Sequence, residues 1–232
     1  MKHKILAHDA DFSPIAEGIW QITGSLDYPL KRNMTVVRLT DNSLLLYSVI
    51  ALQADTLAKL DGLGKVTAIV VPSKNHTMDL AFYRARYPAA KVYANAVTKP
   101  THGPAADVDA SQALKTGRVI AKLVPGFKID ELYLEINIQG KTTLCVCDAL
   151  AGANSYKSGL MAAIAKKLMG VSGGVFGVAR IVKIAYIKKG PVFKDWLTEL
   201  SRRPEIQRIL VAHGDPLMNN IAAHLSQTAA AC

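Results

Sequence analysis

Sulfur and imidazole are scarce in this chain, whose 232 residues include three cysteines and six histidines. Cys145 and Cys147 lie inside an apolar segment and Cys232 stands far from both. This odd set does not form the even disulfide framework of a small secreted domain, and reduced thiols are the expectation. No apolar run reaches the roughly 18 residues of a membrane span, and Met1-Lys2-His3-Lys4 leads into polar residues instead of an apolar signal core. A cytoplasmic location is therefore expected. The chain also lacks a Gly-x-Ser-x-Gly nucleophile elbow. Its glycine-rich stretch, Gly170-Val171-Ser172-Gly173-Gly174-Val175-Phe176-Gly177, has no Lys-Ser/Thr ending and reads as a hinge between two helices, not a phosphate loop. Tyr83, Tyr87 and Tyr93 show none of the organised aromatic and basic interleaving of a nucleic-acid platform, so no nucleic-acid partner is expected.

Acidic residues are the other shortage. Eighteen Asp and Glu face 28 Lys and Arg, for a net charge of +10. Most of the excess falls in residues 157–208, where Lys157, Lys166, Lys167, Arg180, Lys183, Lys188, Lys189, Lys194, Arg202, Arg203 and Arg208 are offset only by Asp195, Glu199 and Glu205. A solvated helical face is the first reading of this segment, and an anionic partner the second. Within residues 159–189 apolar positions alternate with lysines in two helix-like blocks. Packing, in the core or on a second subunit of a homo-oligomer, is expected there ahead of peripheral contact with an anionic membrane.

Half of the residues are hydrophobic, enough for a substantial core, and one domain over 1–232 is the expectation. The first half reads as strands at 18–22, 34–39 and 44–50, a helix at 55–63, a continuous apolar strand at 66–71 stopped by Pro72, a helix near 80–86 and a strand at 91–94. A loop-like stretch covers 100–109. The second half reads as strand-rich over 119–146, helical over 158–170 with Leu160, Ile164 and Leu168 at helical spacing, helical again from 193 to 201, then a strand at 209–212. Asp215-Pro216 has the form of a helix start, with Asp at the cap and Pro at the first position. This order of elements suits an α/β layered architecture.

Three short segments carry chemistry. Val124-Pro125-Gly126-Phe127 is followed by a hairpin and a strand that ends in Cys147-Asp148-Ala149-Leu150. The strand at 66–71 leads into Pro72-Ser73-Lys74-Asn75-His76-Thr77-Met78-Asp79-Leu80, and the strand at 209–212 runs into Ala212-His213-Gly214. In their order and spacing these segments resemble the metallo-β-lactamase superfamily, in particular a branch defined as a domain of unknown function with a degenerate metal site. The resemblance implies a four-layer αββα sandwich. It also implies a metal-dependent hydrolase ancestry, with a Pro-Gly-His turn, a His-x-His-x-Asp-His loop, a bridging Asp and a late His as metal ligands.

This chain departs from that pattern. Phe127 stands where the turn has its imidazole, and a benzyl ring has no lone pair for a metal. If Asp79 is aligned with the loop's Asp, the three His positions fall on Asn75, Thr77 and Leu80, with His76 one residue out of register. Three candidate ligands remain: His76, Asp148 and His213. They are enough for one zinc or iron with an open position. The alternative is no metal at all, with Asp148 capping the turn before Ala149-Leu150 and the two histidines hydrogen-bonded in a vestigial cleft. Asp79 is the candidate general base, against the plainer reading of an acid favoured at a helix start. Asp130 and Glu131 could offer an oxygen ligand or serve a turn. Cys147 is expected to point away from the Asp148 face, into the core. His3, His8, His102 and His224 read as surface residues. Two functions follow: a hydrolase relative with an eroded site holding at most one metal, or a non-catalytic protein whose cleft binds a small anionic ligand or a protein partner. Substrate identity is set by loops and is not readable from these segments.

Overall fold

The computed structural model describes residues 4–27, 30–95, 108–109, 114–171 and 175–232. His3, His102, Gly173, Gly174 and most of the 100–109 loop lie outside that set. Seven strands, β1 (Ser13–Ala16), β2 (Ile19–Ser25), β3 (Lys31–Arg38), β4 (Leu44–Tyr47), β5 (Val66–Val70), β6 (Lys91–Ala94) and β7 (Val108–Asp109), form one sheet in chain order. A second sheet has the order β14 (Ile206–Val211), β11 (Lys141–Val146), β10 (Leu132–Ile138), β9 (Val119–Leu123), β8 (Lys115–Thr116). A two-residue ribbon, β12 (Ala151–Gly152) with β13 (Phe176–Gly177), stands apart from both.

Three apolar clusters explain why these elements stack in four layers. On one outer face, helices α1 (Ala54–Leu63) and α2 (Leu80–Arg86) bury Leu57, Leu60, Leu80 and Tyr83 against Ile22, Met34, Val36, Leu46 and Ile69. Between the sheets, Val37, Leu45, Tyr47 and Val70 meet Leu132, Leu134, Cys145, Cys147 and Leu210. On the far face, α5 (Gly190–Ser201) and α6 (Ile221–Ala230) press Phe193, Trp196, Leu197 and Leu225 onto Leu144, Val146, Ile209 and Val211. The period-2 alternation of each strand therefore feeds two different interiors. At about 1.5–3 kcal/mol for each large side chain removed from water, these clusters dominate the stability. The architecture is the αββα sandwich expected from the sequence, with β5 and β11 interior in their sheets.

Polar cross-links tie the sheets together at one end. The Tyr47 hydroxyl donates to Leu132 O at 2.8 Å, and Leu132 N donates to Pro72 O at 2.8 Å. Asn33 reaches across with its amide to Val211 O at 2.9 Å and Gly214 O at 2.7 Å. Gly214 has φ +90°, and a Cβ there would overlap the carbonyl oxygens of Gly152 and Ala153, which explains the glycine of Ala212-His213-Gly214.

Several local expectations change. The fourth strand stops at Tyr47, because Ser48 turns to φ +57° instead of continuing to Ile50. Asp215-Pro216 does not start a helix. Leu217 instead pairs with Ile209, exchanging N–H and C=O at 2.8 Å in each direction, so the chain runs back along β14 before α6 begins at Ile221. Helix α3 (Leu160–Met169) forms as expected, but Leu160 is 78% exposed, and Met161 and Ile164 are exposed too; the Leu168 side chain is outside the described set. In α4 (Arg180–Ala185) Ile184 is 84% exposed. Core burial therefore does not account for this apolar face. Among the described residues no helix is long and apolar enough to cross a membrane.

Candidate metal centre

Three parallel-neighboured strands deliver the candidate ligands. β5 lies between β4 and β6, parallel to both, while β11 and β14 pair in parallel, so the carboxyl ends of β5, β11 and β14 open toward one edge. His76 follows β5 in a single 3-10 turn, Lys74–His76, whose start is fixed by Ser73 Oγ accepting from Asn75 N at 3.3 Å. Asp148 follows β11 and His213 follows β14. Such crevices beyond strand carboxyl ends are the usual ligand sites of open α/β sheets.

The three side chains converge. His76 Nε2 and His213 Nε2 each lie 3.4 Å from Asp148 Oδ1, and all three atoms lie within 4.8 Å of one another. The rings meet edge to face at 5.3 Å. A distance of 3.4 Å is long for a charge-assisted hydrogen bond. It equals the separation of about 3.4 Å between neighbouring ligand atoms around a tetrahedral ion with bonds of about 2.1 Å. The donor set therefore fits one divalent ion of the zinc or iron type.

The outer contacts orient the ligands. His213 Nδ1 lies 2.7 Å from Lys31 O, a partner that can only accept, so Nδ1 carries a proton and Nε2 is the atom turned toward Asp148. His76 Nδ1 lies 2.9 Å from Ser48 Oγ. Burial lowers the His76 pKa, outweighing the opposing pull of Asp148. For Asp148 burial acts upward, yet the imidazoles, His76 first, hold its carboxyl well below the usual range. A neutral imidazole and an ionised carboxylate are the protonation states that ligate metals.

Asp148 does not cap the turn that follows it. That task belongs to Glu131, fully buried, whose Oε1 accepts from Cys147 N at 2.8 Å and whose Oε2 accepts from Asp148 N at 2.8 Å and Ala149 N at 3.0 Å. Burial, then the nearby Asp148 charge, pushes the Glu131 pKa well up, against the three amides that favour the anion. Cys147 is fully buried between the sheets, as alternation predicts, although its sulfur lies in a cluster with Glu131 and Asp148. Its thiol pKa is raised well above normal by burial.

The other sequence candidates are dispersed. Asp79 is not among the residues that line the cleft; its carboxylate takes Nη2 of Arg32. Asn75 lines the cleft, its amide 3.4 Å from Asp148 Oδ2 and 3.3 Å from the Tyr186 hydroxyl. Leu80 belongs to the outer core, and buried Thr77 lies 3.3 Å from Lys74 O through its hydroxyl. Phe127 fills the interior beneath the site, stacked on Phe193 at 5.9 Å and tilted against Tyr186 at 6.0 Å. Gly126 before it has φ +72°, and a Cβ there would approach Lys189 O to 2.6 Å. His8 is exposed and accepts from Gln53 N, and His224 lies edge-on to Phe176. Ser48 and Glu131 orient the ligands, and Arg32 lines the cleft beside them; Ser48 and Arg32 were not among the sequence candidates.

The three ligands lie at the base of a cavity of about 470 Å³, walled by Leu26, Leu30, Val171, Ala179, Ile181 and Val182 together with Tyr156 and Tyr186. No family model matches the chain, and no curated protein matches it either. Solved structures do. The DIM-1 metallo-β-lactamase exposed to ceftazidime superposes with a TM-score of 0.64 at 14% identity, covering 100% of this chain and 99% of the other. The chain has the metallo-β-lactamase fold. A metallo-β-lactamase from Hirschia baltica gives 0.61 at 12% identity over 97% of this chain and 98% of that one. The metallo-β-lactamase FIM-1 from Pseudomonas aeruginosa in its mono-zinc form gives 0.62 at 15% identity, over 98% and 97%. At these identities the likeness establishes the metallo-β-lactamase fold alone.

Proposed function

We propose that this protein is a metal-dependent hydrolase relative whose site is reduced to one ion, held by His76, Asp148 and His213. The observation that carries the reading is the pair of 3.4 Å separations from Asp148 Oδ1 to the two Nε2 atoms at the floor of a cleft. A divalent ion in such a three-ligand site supplies Lewis acidity and a nucleophilic water near neutral pH. The chain's own groups do the rest. Ser48 and Lys31 O fix the rings, Glu131 fixes the Asp148 backbone, and the apolar wall lines the approach to them. That a metallo-β-lactamase of the same fold has been solved in a mono-zinc form supports one ion as a workable occupancy. A second ion lacks ligands, since Phe127, Thr77 and Leu80 stand at positions where the resemblance calls for imidazoles. Asp79, tied to Arg32, serves in this reading as the counterion of that arginine and not as the general base.

Metal analysis of protein purified without added metal, followed by zinc titration calorimetry, tests the proposal. One equivalent is expected. No uptake by the native chain would leave the second reading, a non-catalytic cleft for an anionic ligand, which the buried Arg32 in the cleft wall favours.

A further inference from the structure

Among the described residues Arg32 is the largest fully buried side chain, 2% exposed, and it lines the cleft alongside His76 and Asp148. On β3 it shares its face with Met34 and Val36, at the strand's start, where the apolar cluster gives way to the N-terminus of α2. Only Nη2 is used, by Asp79. Nε and Nη1 are buried without any hydrogen-bond partner. A guanidinium stays protonated in any protein environment. These two nitrogens therefore present three N–H hydrogens that have lost water and gained no acceptor. Such vacancies are costly, and a native interior keeps them where something else binds. Pairing with Asp79 does not require them, because a lysine ammonium would serve a single carboxylate contact.

The rest of the cleft says what the acceptor is attached to. Leu30, Val171, Ala179, Ile181 and Val182 make an apolar wall, and Ile181 remains nearly half exposed at the rim. A small inorganic anion would leave that wall in water. We propose that Arg32 is the anchor for an oxyanion headgroup, and that the cleft takes an amphiphile whose apolar body lies on this wall while its carboxylate or phosphate accepts from Nε and Nη1, which are closed to solvent in this structure and meet the headgroup when the guanidinium turns toward the cleft. The inference deepens the reading of this cleft as the substrate site, but does not need the metal.

The test is calorimetric titration of the full chain, freed of metal by chelator, with octanoate, octyl phosphate and octanol. Octanoate or octyl phosphate is expected to bind about tenfold or more tightly than octanol, the factor of a charge-assisted hydrogen bond. Which of the two anions binds more tightly identifies the headgroup. Arg32→Lys, which keeps the ion pair to Asp79, should lose that preference, while Asp79→Asn, which frees the guanidinium further, should strengthen it. Equal affinity for octanoate, octyl phosphate and octanol, or a preference that survives Arg32→Lys, overturns the proposal. If the anions bind only after zinc is restored, the headgroup belongs to the metal, and Arg32 is not the anchor although the metal centre stands. If they bind through Arg32 in a chain that takes up no zinc, the metal centre fails and the anchor stands. Should either variant not fold, the Arg32 Nε–H resonance of the wild-type protein decides, since octanoate must shift it and an unmoved resonance overturns the assignment.

Discussion

Ser48 Oγ and His76 Nδ1 are 2.9 Å apart, and the contact exists because Ser48 leaves β4 in the left-handed region at φ +57°. A non-glycine residue there is held at a cost by its surroundings, and strain of this kind concentrates where a side chain must be aimed. The hydroxyl fixes the His76 ring so that Nε2 faces Asp148. Ser48→Ala should weaken zinc binding about tenfold to a hundredfold. Ser48→Gly separates the two roles, because it relieves the backbone while deleting the hydroxyl. It should match or exceed the wild-type melting temperature yet share the loss of zinc affinity. A Ser48→Gly protein with wild-type affinity would show that the hydroxyl does not matter.

Removal of a ligand is a harsher change. His213→Ala leaves two protein ligands and should abolish zinc retention through dialysis against a mild chelator. The wild-type chain should keep no more than one equivalent. Two equivalents after the same dialysis would mean that further donors, such as Asn75 or Glu131, complete a dinuclear site.

Glu131 shows how backbone and site are coupled. Its two oxygens take three consecutive amides, so Glu131→Gln must turn an NH2 group toward at least one N–H donor. The expected cost is about 1–3 kcal/mol in urea unfolding. Zinc affinity should fall with it, because Asp148 is one of the residues so held. A stable Glu131→Gln chain with unchanged affinity would argue that the Asp148 backbone is positioned by β11 alone.

Much of this was readable in the sequence and some was not, for physical reasons. His76, Asp148 and His213 each follow an apolar strand, and it was the order and spacing of those segments, through the superfamily they resemble, that marked all three as candidates for one site. Ser48 was missed because it reads as part of the apolar run from Leu44 to Ile50, and a positive φ at serine has no sequence signal. Arg32 was missed because its partner Asp79 lies 47 positions away and nothing local marks an arginine as buried. Asp215-Pro216 carried a true helix-start signature. The antiparallel bridge between Leu217 and Ile209 overrode that local preference, and the helix begins after Asn220. The three amides around Glu131 gave its carboxylate the capping task that the alternative without a metal assigned to Asp148.

At the opposite end of the second sheet, Glu135 is held by Arg203 Nη1 at 2.7 Å and Lys122 Nζ at 3.0 Å. Burial raises its pKa, but Arg203 and then Lys122 overcome that and leave it lowered. A carboxyl depressed in the folded state contributes stability that is present above its unfolded value, near 4.5, and is lost as pH falls through the folded value. The stability gap between wild type and Glu135→Gln should therefore be constant from pH 7 to about 5 and narrow below about 4.5. A gap that widens in acid would contradict the assignment.

Phe127 offers a test of whether the lost imidazole can be restored. Its ring lies in a bed made by Phe193 and Tyr186, and it does not line the cleft. Phe127→His would bury a polar ring among aromatic faces and give up stacking area. The expected loss is about 2–4 kcal/mol, combining a partial large-to-small cost with the burial of an imidazole that has no partner. Zinc stoichiometry should not rise, because one imidazole does not replace the positions now held by Thr77 and Leu80. Equilibrium unfolding and metal analysis of the same preparation measure both effects. A Phe127→His chain that keeps its stability and retains a second zinc would mean that the aromatic bed can open toward the cleft, and that a single substitution separates this site from a dinuclear one.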